Sequence, residues 1–324
     1  MRKSMVSLRH MAKRLVKDTT AVQPGENLCV VTEFGKLRIA RALADAGREA
    51  GAEAVVCVME RRRMHGNELP LMVASTMSGA DIVMAATTYS FTHTDAFRDT
   101  LRQGARILIL RSVTEDSFTA GAITADYEEV DQLSRDFAGQ LSEASTVHVT
   151  SALGTDLRMS LAGRSAIFLG GFAREPGSIT TLPGGEAAIS PVEGSAQGVL
   201  VVDHLIDGVG LLRKPVTVVV EDGKAIEVKG GREASRLRGL ISAVDQHATN
   251  VAEFAIGTNP KSRMVGNAAE DKVLLGCIHV AIGDNRTLGG TVTSDLHLDM
   301  TVLNPTVALD GQVIIRRGKL LERA

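Results

Sequence analysis

Between residues 27 and 111, short apolar runs alternate with longer stretches whose apolar positions recur at helical spacing. Leu28-Cys-Val-Val-Thr32, Ala54 to Met59, Asp81 to Ala86 and Arg106 to Leu110 are almost continuously apolar, as strands buried on both faces are. Leu37 to Ala50 lies between the first two and repeats its apolar positions every three or four residues. This alternation predicts a parallel sheet with crossover helices. A helical segment from Glu128 to Ser142 closes the first half, and the polar Ser142-Glu-Ala-Ser145 marks a boundary. Beyond it the period changes to two. Thr146 to Thr150 and Asp156 to Leu161 flank a turn at Gly154, and Asp222-Gly223 and Asp310-Gly311 are hairpin turns between alternating runs. One helix, Arg232 to about Asn250, interrupts them. The predicted fold class is α/β, with a doubly wound parallel-sheet domain over residues 1–145 and a mixed, strand-rich α+β domain over 146–324.

A chain of 324 residues is long enough for both domains and for a large core. With 36 basic and 38 acidic residues there is no global field to hold nucleic acid, and two Tyr and no Trp supply few stacking platforms. The expected partner is therefore a small molecule or short peptide, not nucleic acid. No apolar run reaches the roughly 18 residues that span a membrane, so no membrane partner is expected either. Cys29, Cys57 and Cys277 are odd in number and set apart in apolar runs, which predicts reduced thiols and a cytoplasmic location. Six basic and no acidic residues in the first 17 imitate a transit peptide, but Met5, Leu8, Ala12 and Leu15 at helical spacing fit an amphipathic first helix packed on the domain.

Several chemistries lack their motifs. The first strand leads into Thr32-Glu-Phe-Gly35 and not the glycine fingerprint of a dinucleotide site, and Gly170-Gly171, Gly184-Gly185 and Gly289-Gly290 lack the Lys-Ser/Thr of a phosphate loop. No Gly-x-Ser-x-Gly elbow is present. His93 sits just before a helical stretch, among residues suited to capping it, and His10, His65, His148, His204 and His247 lack convergent partners in sequence.

Three strand-like segments of the second half carry ionisable residues on one face. In Leu296-His-Leu-Asp-Met300, alternation points His297 and Asp299 the same way, while Leu296, Leu298 and Met300 point into a core. An imidazole and a carboxylate at this spacing can serve one metal ion. His279 in Cys277-Ile-His-Val-Ala-Ile282 and Glu253 in Glu253-Phe-Ala-Ile256 repeat the design. Each alone is more often a solvated or hydrogen-bonded face residue; three within 47 residues, joined by the glycine-bearing loop 283–290, point to a metal site.

The order Leu182-Pro-Gly-Gly-Glu186, Pro191-Val-Glu-Gly194, Glu253-Phe-Ala-Ile-Gly-Thr-Asn-Pro260, His279-Val-Ala-Ile-Gly283 and His297-Leu-Asp-Met300 resembles the aminopeptidase T family of metallopeptidases. The likeness extends upstream through Gly154-Thr-Asp-Leu-Arg-Met-Ser160 and Ser90-Phe-Thr-His-Thr94. It implies a divalent-metal-dependent hydrolase for short peptides or small amides, using Zn, Co or Mn, with Glu253, His279, His297 and Asp299 as metal ligands and Glu186 as the catalytic base or a further ligand. It also implies a homodimer, and the apolar run from Gly194 to Ile206 would suit a covered sheet edge. Two positions depart from those peptidases. Leu274 and Arg286 stand where the peptidases have a further carboxylate and a catalytic tyrosine, and Glu270 and Asp271 are the nearest acids that a shifted alignment offers. The same superfamily contains 2,5-dihydroxypyridine 5,6-dioxygenase, so the alternative is an Fe(II) ring-cleaving dioxygenase, for which His279, His297 and Asp299 supply two histidines and a carboxylate. At the position of Glu253 those dioxygenases carry a histidine. On that carboxylate the hydrolase is the leading expectation.

Overall fold

A computed structural model of the chain describes residues 7–63, 66–92 and 94–321; Met5, His65 and His93 lie outside the described residues. The apolar runs of the first half pair in parallel. Glu53–Met59, Asn27–Glu33, Ile82–Thr87, Arg106–Arg111 and Ile179–Thr181 form one five-stranded sheet in that spatial order. Ile82–Thr87 is buried at every position, which is why its sequence shows no alternation. The helix Leu37–Glu49 buries Ile39, Ala40, Leu43 and Ala44, the stripe its spacing marks out. The fifth strand returns from well beyond residue 145, and the chain divides into two units, Met1–Tyr127 with Gly171–Gly184, and Glu128–Gly170 with Gly185–Ala324. Cys29 and Cys57, distant in sequence, meet across neighbouring strands with their sulfurs 4.0 Å apart, and both are free thiols. Among the described residues no helix is long and apolar enough to cross a membrane.

The second unit holds two antiparallel sheets. One has eight strands, in the order Lys224–Lys229, Val216–Glu221, Gln197–Val202, Asp156–Ser160, Thr146–Thr150, Thr306–Leu309, Gln312–Arg316 and Lys319–Leu320. Both expected hairpin turns occur, with Asp222 and Gly223 at φ 48° and 72° and Asp310 and Gly311 at 48° and 86°, the left-handed pair that a two-residue hairpin loop requires. The apolar run after Gly194 is not an edge: Gln197–Val202 is paired on both sides. The other sheet has seven strands: Gly210–Leu211, Leu205–Ile206, His297–Val302, Ile278–Gly283, Val251–Gly257, Glu186–Ile189 and Ile167–Leu169. Val147, Leu157, Leu200 and Val218 of the first sheet share one core cluster with Phe254, Ile256, Val280 and Met300 of the second. The predicted helix from Arg232 ends at Ser242 and not near Asn250. Asp245 stops it by accepting the backbone N–H groups of His247 and Asp295, an alternative to continuing the helix.

Candidate metal centre

Four neighbouring strands of the seven-stranded sheet place Glu186, Glu253, His279, His297 and Asp299 on one face. Register pairs Glu186 with Gly257, Ala255 with His279, and His279 with Thr301; in the next rows Glu253 meets Ala281, Ala281 meets Asp299, and Gly283 meets His297. The opposite face, with Phe254, Ile256, Ile278, Val280, Ile282, Leu298 and Met300, enters the core. Core burial thus fixes the register, and register aims the polar set. Between these four strands the partners of the charged residues are Gly257, Ala255, Thr301, Ala281 and Gly283, so small residues leave the space in which the charged groups converge.

Glu253, His297 and Asp299 offer ligand atoms that all lie within 4.8 Å of one another. His297 Nε2 is 2.9 Å from Glu253 Oε2 and 3.4 Å from Asp299 Oδ1. His279, fully buried, points Nε2 at Glu253 Oε1 (3.2 Å), with Glu186 Oε2 at 3.7 Å. The other nitrogen of His297, Nδ1, is 2.8 Å from the carbonyl of Asp284. A carbonyl only accepts, so Nδ1 carries a proton, and Nε2 is the nitrogen left for a ligand. Nε2 nevertheless faces two carboxylates. Either a second proton or a cation must stand there, and burial opposes the proton on His297 while the hydrogen bonds it donates to Asp299 and Glu253 raise its pKa well above the usual value. Burial works against the charge on Glu253, but hydrogen bonds from His279 and His297 outweigh it and hold that carboxyl well below its usual range. Burial also opposes the charge on Asp299, where the Lys272 ammonium and the hydrogen bond from His297 prevail and depress the pKa. Asp299 Oδ1, Glu186 Oε2 and His279 Nδ1 are buried without a well-formed hydrogen bond. A divalent cation in place of the second proton on His297 would complete this set of buried carboxylate oxygens and imidazole nitrogen.

The structure adds Lys272, which the sequence reading did not single out. Its Nζ lies 3.0 Å from Glu186 Oε2 and 3.1 Å from Asp299 Oδ2. The acids just before it are committed elsewhere. Glu270 pairs with Arg263 at 2.8 Å, and Asp271 accepts the N–H groups of Val265 and Gly266 and sits 2.7 Å from His204 Nε2. Neither supplies the carboxylate that a shifted alignment offered. Arg286, at the tyrosine position, is half-exposed and pairs with Asp284 at 2.7 Å.

Glu193 of the Pro191-Val-Glu-Gly194 motif has a structural task. It accepts the N–H of Thr291 and the Asn285 amide, both at 2.9 Å, and pairs with Arg164, so it clasps the loop whose Asp284 carbonyl orients His297. Partial burial opposes its charge, but the hydrogen bonds from Thr291 and Asn285 and the Arg164 guanidinium prevail and bring its pKa down to about 2. A depressed carboxylate stabilises the fold above the unfolded value of ~4.3 and loses that contribution as pH falls through the folded one. The clasp should therefore hold at pH 5 and open between about pH 4 and 2. Hydrogen exchange of the Thr291 amide, corrected for intrinsic rate, should show protection falling in that window, and in Glu193→Gln protection should already be reduced at pH 5.

The chain matches the sequence profile of the 2,5-dihydroxypyridine 5,6-dioxygenase (NicX) family over residues 10–322. The 2,5-dihydroxypyridine 5,6-dioxygenase of Pseudomonas putida strain KT2440 is 24% identical to it over 264 residues, 78% of this chain and 74% of the relative. The solved structure of the 2,5-dihydroxypyridine dioxygenase from Pseudomonas putida KT2440 superposes with a TM-score of 0.83 at 21% identity, covering 98% of this chain and 97% of that one. AmpT from Thermus thermophilus gives 0.73 at 16% identity, covering 97% and 99%. At these identities the two structures establish a shared fold, and the profile discriminates between branches. The hydrolase, aminopeptidase and metalloprotease reading is therefore corrected, and so is its Zn, Co or Mn cofactor. The described residues gather one three-donor cluster, Glu253, His297 and Asp299, where a cocatalytic hydrolase needs two ions. An ammonium, Lys272, stands between Glu186 and Asp299, and the peptidase tyrosine is an arginine turned to Asp284. The chain shares a fold with AmpT, and by its match over almost its whole length it belongs to the 2,5-dihydroxypyridine 5,6-dioxygenase family.

Proposed function

We propose that the protein is a mononuclear Fe(II) dioxygenase that opens the ring of a dihydroxypyridine or a closely similar hydroxylated aromatic substrate. The observation that carries this reading is the convergence of Glu253, His297 and Asp299 on one sheet face, in a chain that matches the dioxygenase family from residue 10 to 322. One imidazole, a borderline donor that suits iron, and two carboxylates, whose two charges balance a divalent ion, are compatible with Fe(II). Iron held by Glu253, His297 and Asp299 would supply a redox-active Lewis acid for the reaction of the hydroxylated ring with dioxygen.

The protein side chains do the rest. The Asp284 carbonyl holds His297 in the tautomer that leaves Nε2 as the ligand atom. Glu186, a buried carboxylate with Oε2 3.0 Å from the Lys272 ammonium, accepts the proton that a ring hydroxyl loses on binding. His279 Nε2, between Glu253 and Glu186, donates to Glu253 and fixes its carboxylate plane. Ala188, Ala255 and Leu288 cluster on the same face and give it an apolar patch beside these charged groups. A homodimer remains part of the proposal on the family resemblance, and light scattering on a sizing column reads it directly.

Protein loaded anaerobically with Fe²⁺ should consume oxygen with 2,5-dihydroxypyridine or a positional isomer, and the ring absorbance should disappear in step. Amino-acid anilides should not turn over with Co²⁺, Zn²⁺ or Mn²⁺. Anilide hydrolysis without oxygen uptake would overturn the reading.

A further inference from the structure

Lys272 is aimed at the site by everything around it. It caps the short helix Ala268–Asp271, whose last two acids are tied down by Arg263, His204 and the backbone of 265–266. Its own carbonyl accepts the Cys277 thiol at 3.2 Å, and the next residue, Val273, accepts the N–H of Asn259 at 2.8 Å. With the backbone pinned on both sides, the side chain, 16% exposed, runs inward and places Nζ between Glu186 and Asp299, whose side chains are 6% and 4% exposed.

Charge decides what this means. Glu186, Glu253 and Asp299 are buried carboxylates on one face, and Lys272 is the one ammonium paired with them among the described residues. Three negative charges against one positive leave two, which one divalent cation neutralises. A second ion would make the enclosed cluster a dication, and charges buried without partners are strongly disfavoured. Donors for a second ion are nonetheless present, since Glu186 Oε2 at 3.0 Å and Asp299 Oδ2 at 3.1 Å flank the ammonium.

We propose that Lys272 is a built-in substitute for a second metal ion: its ammonium occupies the space and balances the charge between Glu186 and Asp299, and so sets the site to a single ion. It is a specificity-determining residue for metal number, and removing its charge should turn a one-ion site into a two-ion site. The proposal rests on the metal-centre reading above, but its test does not depend on dioxygenase turnover.

Mn²⁺ alone serves as the probe, titrated into the metal-free full chain, with stoichiometry read by equilibrium dialysis and ion coupling by electron paramagnetic resonance. The wild type should bind one Mn²⁺ with the spectrum of an isolated ion. Lys272→Glu should bind two, with the spectrum of an exchange-coupled pair. Lys272→Gln, which adds no charge and keeps the fold under test if the glutamate variant fails to fold, should bind its second Mn²⁺ at least about tenfold more tightly than any second binding by wild type. Lys272→Arg should remain at one ion. Two coupled ions in the wild type, or one ion in folded Lys272→Gln and Lys272→Glu, would overturn the proposal and leave the dioxygenase reading standing. A wild type that binds no ion would overturn the metal centre itself.

Discussion

Asp299→Asn should leave a folded chain that no longer retains its metal. The substitution keeps the shape of the side chain and removes one of the two carboxylates of the three-donor cluster. Removing one partner from a buried charged arrangement costs about 3–5 kcal/mol, or roughly 10²–10⁴-fold in ion affinity. It also leaves Lys272 Nζ with Glu186 at 3.0 Å and without its contact to Asp299 at 3.1 Å. A useful comparison is the pair of His148 and Asp156, whose 2.7 Å contact is shorter than either, but whose side chains are 30% and 66% exposed. Exposed pairs contribute about 0–1 kcal/mol, so Asp156→Asn should change neither metal content nor turnover. Metal analysis after gel filtration, with oxygen uptake on the same samples, checks both variants. Asp299→Asn that keeps its iron and its activity would remove this residue from the centre.

Gly283→Ala should cost the most stability of any single methyl group near the site. Gly283 has φ +109°, and an added Cβ would stand 2.0 Å from the Leu296 carbonyl oxygen and 2.7 Å from its carbon. These are backbone atoms, and the next residue is His297, the register partner of Gly283. Left-handed strain contributes about 1–3 kcal/mol and overpacking another ~1–3, so the melting temperature should fall on the order of 10 °C. Gly289→Ala provides the control, because its φ is +80° but nothing lies within 4 Å of the added atom. Only the strain contribution applies there, and the loss should be clearly smaller. Equal losses in the two variants would mean that the Leu296 contact does not matter.

The face bearing the site was legible from the sequence because a half-buried strand writes its register in alternation. Leu298 and Met300 had to enter the core, which left His297 and Asp299 no choice of direction. The four strands also had to lie side by side, and here the quoted motifs supplied the order that periodicity alone does not. The chemistry was less legible, for a physical reason. Glu186, Glu253, His279, His297 and Asp299 suit either a hydrolase or an oxygenase, and the distinction lies partly in a cation between two of them. Lys272 follows Glu270-Asp271, and a run of charges at a helix end reads as solvated surface. Its inward course depends on Arg263 and His204 removing the two acids, contacts made by residues 7 and 67 positions away from their partners. Three carboxylates on one buried face need positive partners, and that count was the signal in the sequence for a buried ammonium. Unit boundaries were obscured in a similar way. Ile179–Thr181 completes the parallel sheet with three residues, too short a run to show any period.

The central claim is that the ring carbon atoms receive both atoms of dioxygen. Turnover of the dihydroxypyridine substrate by the iron-loaded protein under ¹⁸O₂ in ordinary water, followed by mass spectrometry of the ring-opened product, tests this most directly. The account predicts a product carrying two ¹⁸O atoms; a product whose new oxygen comes from water, with none from ¹⁸O₂, would contradict it.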